Sequence, residues 1–554
     1  MLKSASLKRI AICMGAALTL PATAQAQSTA RFDEVSYRSL ENARPVPAGA
    51  FRNPILPGFQ PDPSIVKVGK DFYLVNSTFS WYPGLPIYHS TDLVNWKQIG
   101  NAIDRPGMMD FSGLGTNRGL FAPAISHHDG KFWIVNTCID CTGNFVITAD
   151  RPEGPWSDPK LLDFGGIDPS LYFGEDGRTW ILYNDAPPGE PLYEGHRAIW
   201  MHAFDTQAMQ VTGEPILLIN GGVDLSKEPV WAEGPHIYKV GDWYYLSTAE
   251  GGTADQHSQT IWRAKSVTGP YEPGPNNPTL TQRDLPADRS DRVEATGHAD
   301  LVELDDGSWW GVFLATRPFA GQSTLMGRET FLLPLTWGED GWPTFLPHGA
   351  PVPLTLPAPD LPASEGDDFE RWTDTFDGPL GPQWIGIRSP DAMQRWMIDG
   401  DTDALILIPG SETAGMLKKP SFVGRRLRHH NAEFVTTVTF TPQKAGEFAG
   451  LLAFMDENHF LAFGEEQGRM VVRMRKADSE AAAGEVVAQV PYSGSGPVEL
   501  RMQFDGGTAD LAYRAKGGGS WTEVADDLNV EPLASVHAGL FTGVVVGPYA
   551  TTGN

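Results

Sequence analysis

The sequence predicts an all-β protein, a five-bladed β-propeller followed by a β-sandwich, on three observations. An apolar strand, a glycine turn and an aromatic strand recur five times, as "SIVKVGKDFYLVNS", "AISHHDGKFWIVNT", "SLYFGEDGRTWILYN", "HIYKVGDWYYLSTA" and "DLVELDDGSWWGVFL". Their turn glycines, Gly69, Gly130, Gly177, Gly241 and Gly307, stand roughly fifty to sixty residues apart, too far for single hairpins and right for four-stranded blades. Next, 27 Phe, 17 Trp and 14 Tyr among 60 Gly and 45 Pro suit short strands between tight turns. Finally, "EFVTTVTFTP", "FAGLLAFMD", "HFLAFGEE", "RMVVRMRK" and "VELRMQFD" alternate like the strands of a sandwich.

In chain order, residues 1–26 read as a leader. Lys3, Lys8 and Arg9 precede an apolar run from Ile10 to Leu20, and Ala24-Gln25-Ala26 forms a small-residue cleavage site. The run is too short to span a bilayer, so a periplasmic or secreted protein is expected. Residues 27–50 form an N-terminal segment, and residues 51–355 the propeller. Second hairpins follow the first in "IYHSTDLVNWKQIG", "FVITADRPEGPWSDPKLL" and "IWRAKSVTGPYEP", whose aromatic residues are expected to pack between blades. Residues 356–368, rich in Pro, Ala, Ser and acids, read as a linker. The sandwich takes residues 369–554, and its last stretch, "GPYATTGN", shows no obvious final strand. Cys13 is expected to leave with the leader, so that the remaining chain keeps only Cys138 and Cys141, in "CIDC". No helix-opening redox context surrounds them, so a local disulfide or two inert thiols is expected.

A formal net charge of -26 repels phosphate backbones and anionic lipid. Nucleic acid and membrane are therefore not expected partners, whereas a neutral polymer is acceptable to such a surface.

Upstream of the turn glycines, the five inner strands are preceded by Asp62, the Phe121-Ala122-Pro123 stretch, Asp168, Glu233 and His298. Inner strands of a propeller line one axis, so three carboxylates and a histidine converge near one end of the channel. Each acid alone could merely start a turn. Three in equivalent places form a pocket in which mutual repulsion keeps one proton bound, giving an acid and a base together. Glycoside hydrolysis needs that pair.

From "NPILPGFQPDPS" through "GRETFLLPLTWGEDGWP", and again at "RRLRHH", the chain resembles family 43 of the glycoside hydrolases. Its layout is most similar to the β-xylosidase branch with a C-terminal, concanavalin-like sandwich. The resemblance implies an inverting, exo-acting enzyme that releases xylose from non-reducing ends of β-1,4-xylo-oligosaccharides, with no cofactor needed for the chemistry. It implies Asp62 as general base, Glu233 as general acid and Asp168 as the group that tunes and orients Glu233. Arg328 in "MGRETF" matches a sugar-binding arginine, which could alternatively pair with Glu329. Phe79 matches an aromatic wall, Thr253 in "EGGT" a polar contact, and Phe541 an aromatic that closes the pocket from the sandwich. Phe121 stands where many relatives carry Trp. His298 is either a core histidine or a contact to a calcium ion in the channel.

Two other readings stay open. α-L-Arabinofuranosidase activity, alone or beside xylosidase activity, fits because the two sugars present similar hydroxyl patterns. A non-catalytic carbohydrate-binding propeller also fits the aromatics, but it has no use for a separately tuned proton donor.

Overall fold

The computed structural model describes residues 28–42, 45–388 and 395–553. The leader expected over residues 1–26 lies outside these. Each of the five hairpins is the inner pair of an antiparallel blade. The innermost strands are Ser64–Val68, Ala124–His128, Ile167–Phe173, Glu233–Val240 and Glu294–Glu303. They pack in a ring, the fifth against the first. The five turn glycines all have positive φ with open space where a side chain would point, so backbone conformation alone demands glycine there. As expected, Trp96 and Trp156 of the second hairpins are fully buried, while Tyr271 is only partly so.

The ring is closed by side chains as well as strands. Ala50–Arg52 pairs with Thr355–Pro357, joining the two ends of the propeller. Asn53 exchanges two hydrogen bonds with the backbone of Leu332, each 2.9 Å. The serines of the repeated Asp-Pro-Ser stitch blades together. Ser64 Oγ donates to Asp300 Oδ2 of the fifth blade at 2.7 Å and accepts from the Ile125 N–H of the second at 3.0 Å. Ser170 Oγ donates to the Pro235 carbonyl of the fourth blade.

The sandwich has two antiparallel sheets. One runs Trp396–Asp399, Ala404–Leu407, Ala30–Ser39, Asn431–Thr439, Val498–Asp505, Thr508–Ala515 and Thr522–Asn529, with Arg371–Asp374 also on Ala30–Ser39. The other runs Ser421–Phe422, Val545–Thr551, Phe448–Asp456, His459–Glu466, Arg469–Arg475 and Glu485–Pro491. Phe32 and Tyr37 from the first meet Leu451, Leu461 and Phe463 from the second in one apolar core.

Three sequence readings are corrected here. The N-terminal segment is no separate piece: Ala30–Ser39 is an interior strand of the sandwich. The tail does hold a final strand, Val545–Thr551, paired on both sides. All seven of its residues are buried, so it shows no alternation, and Gly547 and Pro548 make it read as a turn. The linker, finally, is fixed along the first blade: the Ser364 N–H donates to Asp92 Oδ2 at 2.8 Å, and the Asp367 N–H to the Trp96 carbonyl at 2.9 Å. No helix among the described residues is long and apolar enough to cross a membrane.

Candidate active site

The inner strands of the first, third and fifth blades are entered through strained turns. Asp62, Asp168 and His298 adopt φ of 49°, 54° and 54°, a region non-glycine residues rarely occupy. In the fourth blade that place belongs to Gly234, φ 56°, immediately before Pro235. Measured from the turn, Glu233 therefore sits one residue upstream of the position the two aspartates hold. The extra methylene of Glu lets it reach the same cavity from that earlier place. Asparagines in or just past the second strands hold the entries of the first two blades: Asn76 donates to the Pro61 carbonyl at 2.9 Å and Asn136 to the Phe121 carbonyl at 2.6 Å. A third, Asn184, points its amide at Asp168 Oδ2, 3.4 Å away.

Asp62, Phe79, Phe121, Asp168, Glu233, Thr253, His298, Arg328 and Phe541 all line one small pocket. Arg328 Nη1 donates to Asp62 Oδ1 at 2.8 Å, and Ser77 Oγ donates to Asp62 Oδ2. The alternative pairing of Arg328 with Glu329 does not occur. Glu329 faces away, takes both arms of Arg317 at 2.8 Å and accepts the Gly58 N–H.

The electrostatics separate the acids. Burial first, then the negative Asp62, push Asp168 up, while Arg328 and the Gly234 N–H pull it back. Burial, then Asp168 and Asp62, push Glu233 well above the usual carboxylate range. Asp62 has a cation at hydrogen-bond distance, whereas Glu233 has none among the described residues. The site thus holds an ion-paired carboxylate beside a carboxyl that keeps its proton, the arrangement a general base and a general acid require.

Aromatic rings build the wall. Phe79, almost wholly buried, stacks on Phe59 at 6.0 Å and meets Phe121 and Phe541 edge-on at 5.4 and 5.6 Å. Phe541 comes from the sandwich, on a loop that crosses the segment before Arg328 at very short range. A Cβ on Gly327 would lie 2.4 Å from the Thr542 carbonyl oxygen, and one on Gly543 2.3 Å from that of Met326. Asn117 of the second blade holds the same loop, donating to the Ala538 carbonyl at 2.6 Å. Cys138 and Cys141 form a disulfide, and Cys138 pairs across the strand with Leu120, next to Phe121.

Comparison with known proteins now decides the lineage. Residues 51–343 match the family described as "Glycosyl hydrolases family 43", and residues 373–554 match "Beta xylosidase C-terminal Concanavalin A-like domain". The chain belongs to glycoside hydrolase family 43. It is 36% identical to the non-reducing end alpha-L-arabinofuranosidase of Bacteroides ovatus over 90% of this chain and 91% of that one. Identity to the xylosidase/arabinosidase 43B of Humicola insolens is also 36%, covering 84% and 87%. Among solved structures, a family 43 protein retrieved from a capybara gut metagenome superposes with a TM-score of 0.86 at 34% identity, covering 95% of this chain and 100% of that one. The xylan beta-1,4-xylosidase of Bacillus halodurans superposes at 0.80 with 31% identity, covering 91% and 97%. This family 43 chain is a glycoside hydrolase.

Of the two readings of His298, core histidine or calcium contact, the surroundings offer no donor set that fits calcium among the described residues. The ring lies against Gly234, where a Cβ would come within 2.9 Å of it, and Arg328 adds positive charge nearby. No group of three or more His, Cys, Asp or Glu among the described residues is arranged to hold a metal. Burial keeps His298 neutral, with its pKa down to about 4.

Four residues of the family 43 site were not foreseen in the sequence. Ala122, Ile167 and Trp231 also line the cavity. Trp231 has φ 51°, donates its N–H to the Gly195 carbonyl at 2.9 Å and lies under the Arg197 guanidinium at 5.5 Å. Its place two residues before Glu233 is the signal that points to it. The fourth, His257, lies behind Glu233 and carries no such signal.

Proposed function

We propose that this enzyme is an inverting, exo-acting hydrolase that releases xylose from non-reducing ends of β-1,4-xylo-oligosaccharides. The observation that carries the proposal is the union of Asp62, Asp168 and Glu233 in one small cavity capped by Phe541 of the sandwich. Asp62, held by Arg328 and Ser77, takes a proton from the attacking water. Glu233 gives its proton to the leaving oxygen, and Asp168 keeps that proton in place through its negative field. A pocket walled on one side by the sandwich residue Phe541 favours a terminal sugar over a mid-chain segment.

A second reading, α-L-arabinofuranosidase activity, is favoured by the name of the Bacteroides ovatus relative, which matches nearly the full length of this chain. Export to an oxidising compartment is supported by the leader-like start and by the Cys138–Cys141 bond.

Proton NMR on xylobiose and on an arabinose-decorated xylo-oligosaccharide, sampled before mutarotation, tests the proposal. Early α-xylose from xylobiose is the expected result and reports inversion directly. Release of arabinose alone moves the enzyme to the second reading, and early β-xylose overturns inversion.

A further inference from the structure

The assignment of Glu233 as general acid, on which this inference rests, leaves one buried polar atom beside it unexplained. His257 is almost wholly buried just before the strand Ser258–Ala264. Its Nδ1 lies 3.2 Å from the Ala295 carbonyl oxygen. A carbonyl oxygen only accepts, so the ring hydrogen sits on Nδ1 and Nε2 carries a lone pair. That Nε2 has no hydrogen-bond partner among the described residues and faces Glu233 Oε1 at 3.9 Å. A buried polar atom without a partner calls for a reason.

The ring has little freedom to leave. A Cβ on Gly297 would lie 3.0 Å from both Cε1 and Nε2 of His257. The same relation holds between Gly234 and His298, so the two imidazoles are wedged against backbone next to His298 and next to Glu233 respectively. We propose that His257 is a positioning residue for the general acid, presenting an acceptor-only nitrogen to Glu233 so that the carboxyl is held with its proton and regains it after each turnover.

The chemistry of the cycle gives this a purpose. Hydrolysis with inversion leaves Asp62 protonated and Glu233 ionised, and one proton must return to Glu233 before the next turnover. A carboxylate facing a lone pair finds no donor on that side, whereas a carboxylic acid has an O–H to offer. Burial holds His257 neutral, down to about 3, so it does not become a donor in the working range. The other groups acting on Glu233 are Asp168 and Asp62, which raise it, and Arg328 and Arg197, which lower it. Those acting on His257 are His298, Arg328 and Asp62.

The test compares pH profiles of kcat/KM for the full chain, His257→Asn and His257→Gln, on xylobiose and on an aryl xyloside whose leaving group needs no proton. Asn keeps the donor to Ala295 and removes the nitrogen facing Glu233. Gln places an amide there that can donate to the carboxylate. On xylobiose, the basic limb is expected to move to lower pH by about one unit with Gln and by less with Asn, with KM little changed. On the aryl xyloside, which needs no proton from Glu233, the profile of both variants is expected to match that of the parent enzyme. An unmoved basic limb in both variants overturns the proposal, as does an equal loss on both substrates at every pH, which marks a merely structural role. If Gln fails to fold, the Asn profile decides. The parent reading fails separately: if Glu233→Gln loses both substrates equally, Glu233 is not the acid.

Discussion

Glu233 owes its raised proton affinity to burial first and to two neighbouring carboxylates second, and this bears on stability as well as on catalysis. An unfolded Glu releases its proton near pH 4.3, about the ordinary value, while the folded one still holds it. Between the ordinary value and the raised one the folded chain binds more protons, so this group's contribution to stability is lost as pH rises through that window. Asp168 shifts in the same direction and carries the same sign. Glu233→Gln is therefore expected to unfold at a higher temperature than the parent chain, by roughly 2–4 °C, with the gap widening as pH rises above the ordinary carboxylate range. Calorimetry across that rise checks it, and a gap that narrows with pH contradicts the raised affinity. The same variant is expected to lose about 10²–10⁴-fold in turnover on xylobiose and far less on an aryl xyloside, whereas Asp62→Asn is expected to damage both. Steady-state kinetics on the two substrates separates the roles. Asp62 and Asp168 were legible because repetition marked them, and Glu233 because it stands one residue before the place they hold. His257 was not, since a single buried histidine announces nothing about the lone pair it points at a neighbour.

Among the elements, strand entries and loop crossings do most to place the site. Ser64 and Ser170 explain why Asp-Pro-Ser occurs twice: the aspartate supplies a carboxyl to the axis, and the serine fastens that blade to the next. Ser170→Ala leaves the Pro235 carbonyl without its donor and is expected to cost about 1 kcal/mol, read by chemical denaturation. Gly327→Ala is a harsher change, because φ is 65° and the new Cβ meets the Thr542 carbonyl oxygen. Phe541 is then pushed off the pocket. KM for xylobiose is expected to rise about tenfold, near 1.4 kcal/mol of lost binding, measured by initial rates. An unchanged KM would mean that Phe541 contributes nothing to the closed site. The five hairpins could be read from the chain because alternation and turn glycines are local signals. The strand at Val545–Thr551 could not, because burial on both faces erases alternation.

At the scale of the whole molecule, the propeller is bracketed by the two ends of its partner domain. Ala30–Ser39 lies between Ala404–Leu407 and Asn431–Thr439, and buries Phe32, Val35 and Tyr37 in the sandwich core. Burying three such side chains is worth about 5–9 kcal/mol, comparable with the whole stability of a typical domain. Deleting residues 28–40 is therefore expected to leave the sandwich unfolded and the enzyme insoluble or inactive. Soluble yield and far-ultraviolet circular dichroism would show it; a soluble, cooperatively folding deletion would contradict the role of that strand. A bulge between Phe32 and Glu34 breaks the alternation of "RFDEVSYRS", and nothing local says that its partner lies some four hundred residues on.

That arrangement also sets an order of events during synthesis. Val35 must wait for Thr436, its neighbour in the sheet, while roughly four hundred residues are added between them. At 5–20 residues per second this is on the order of 20–80 s, during which five blades can form behind an amphipathic strand that has no mate. The first strand of the sandwich to leave the ribosome is thus among the last to be docked. Whatever accompanies the nascent protein across that interval has to keep one ten-residue edge from pairing with the wrong sheet.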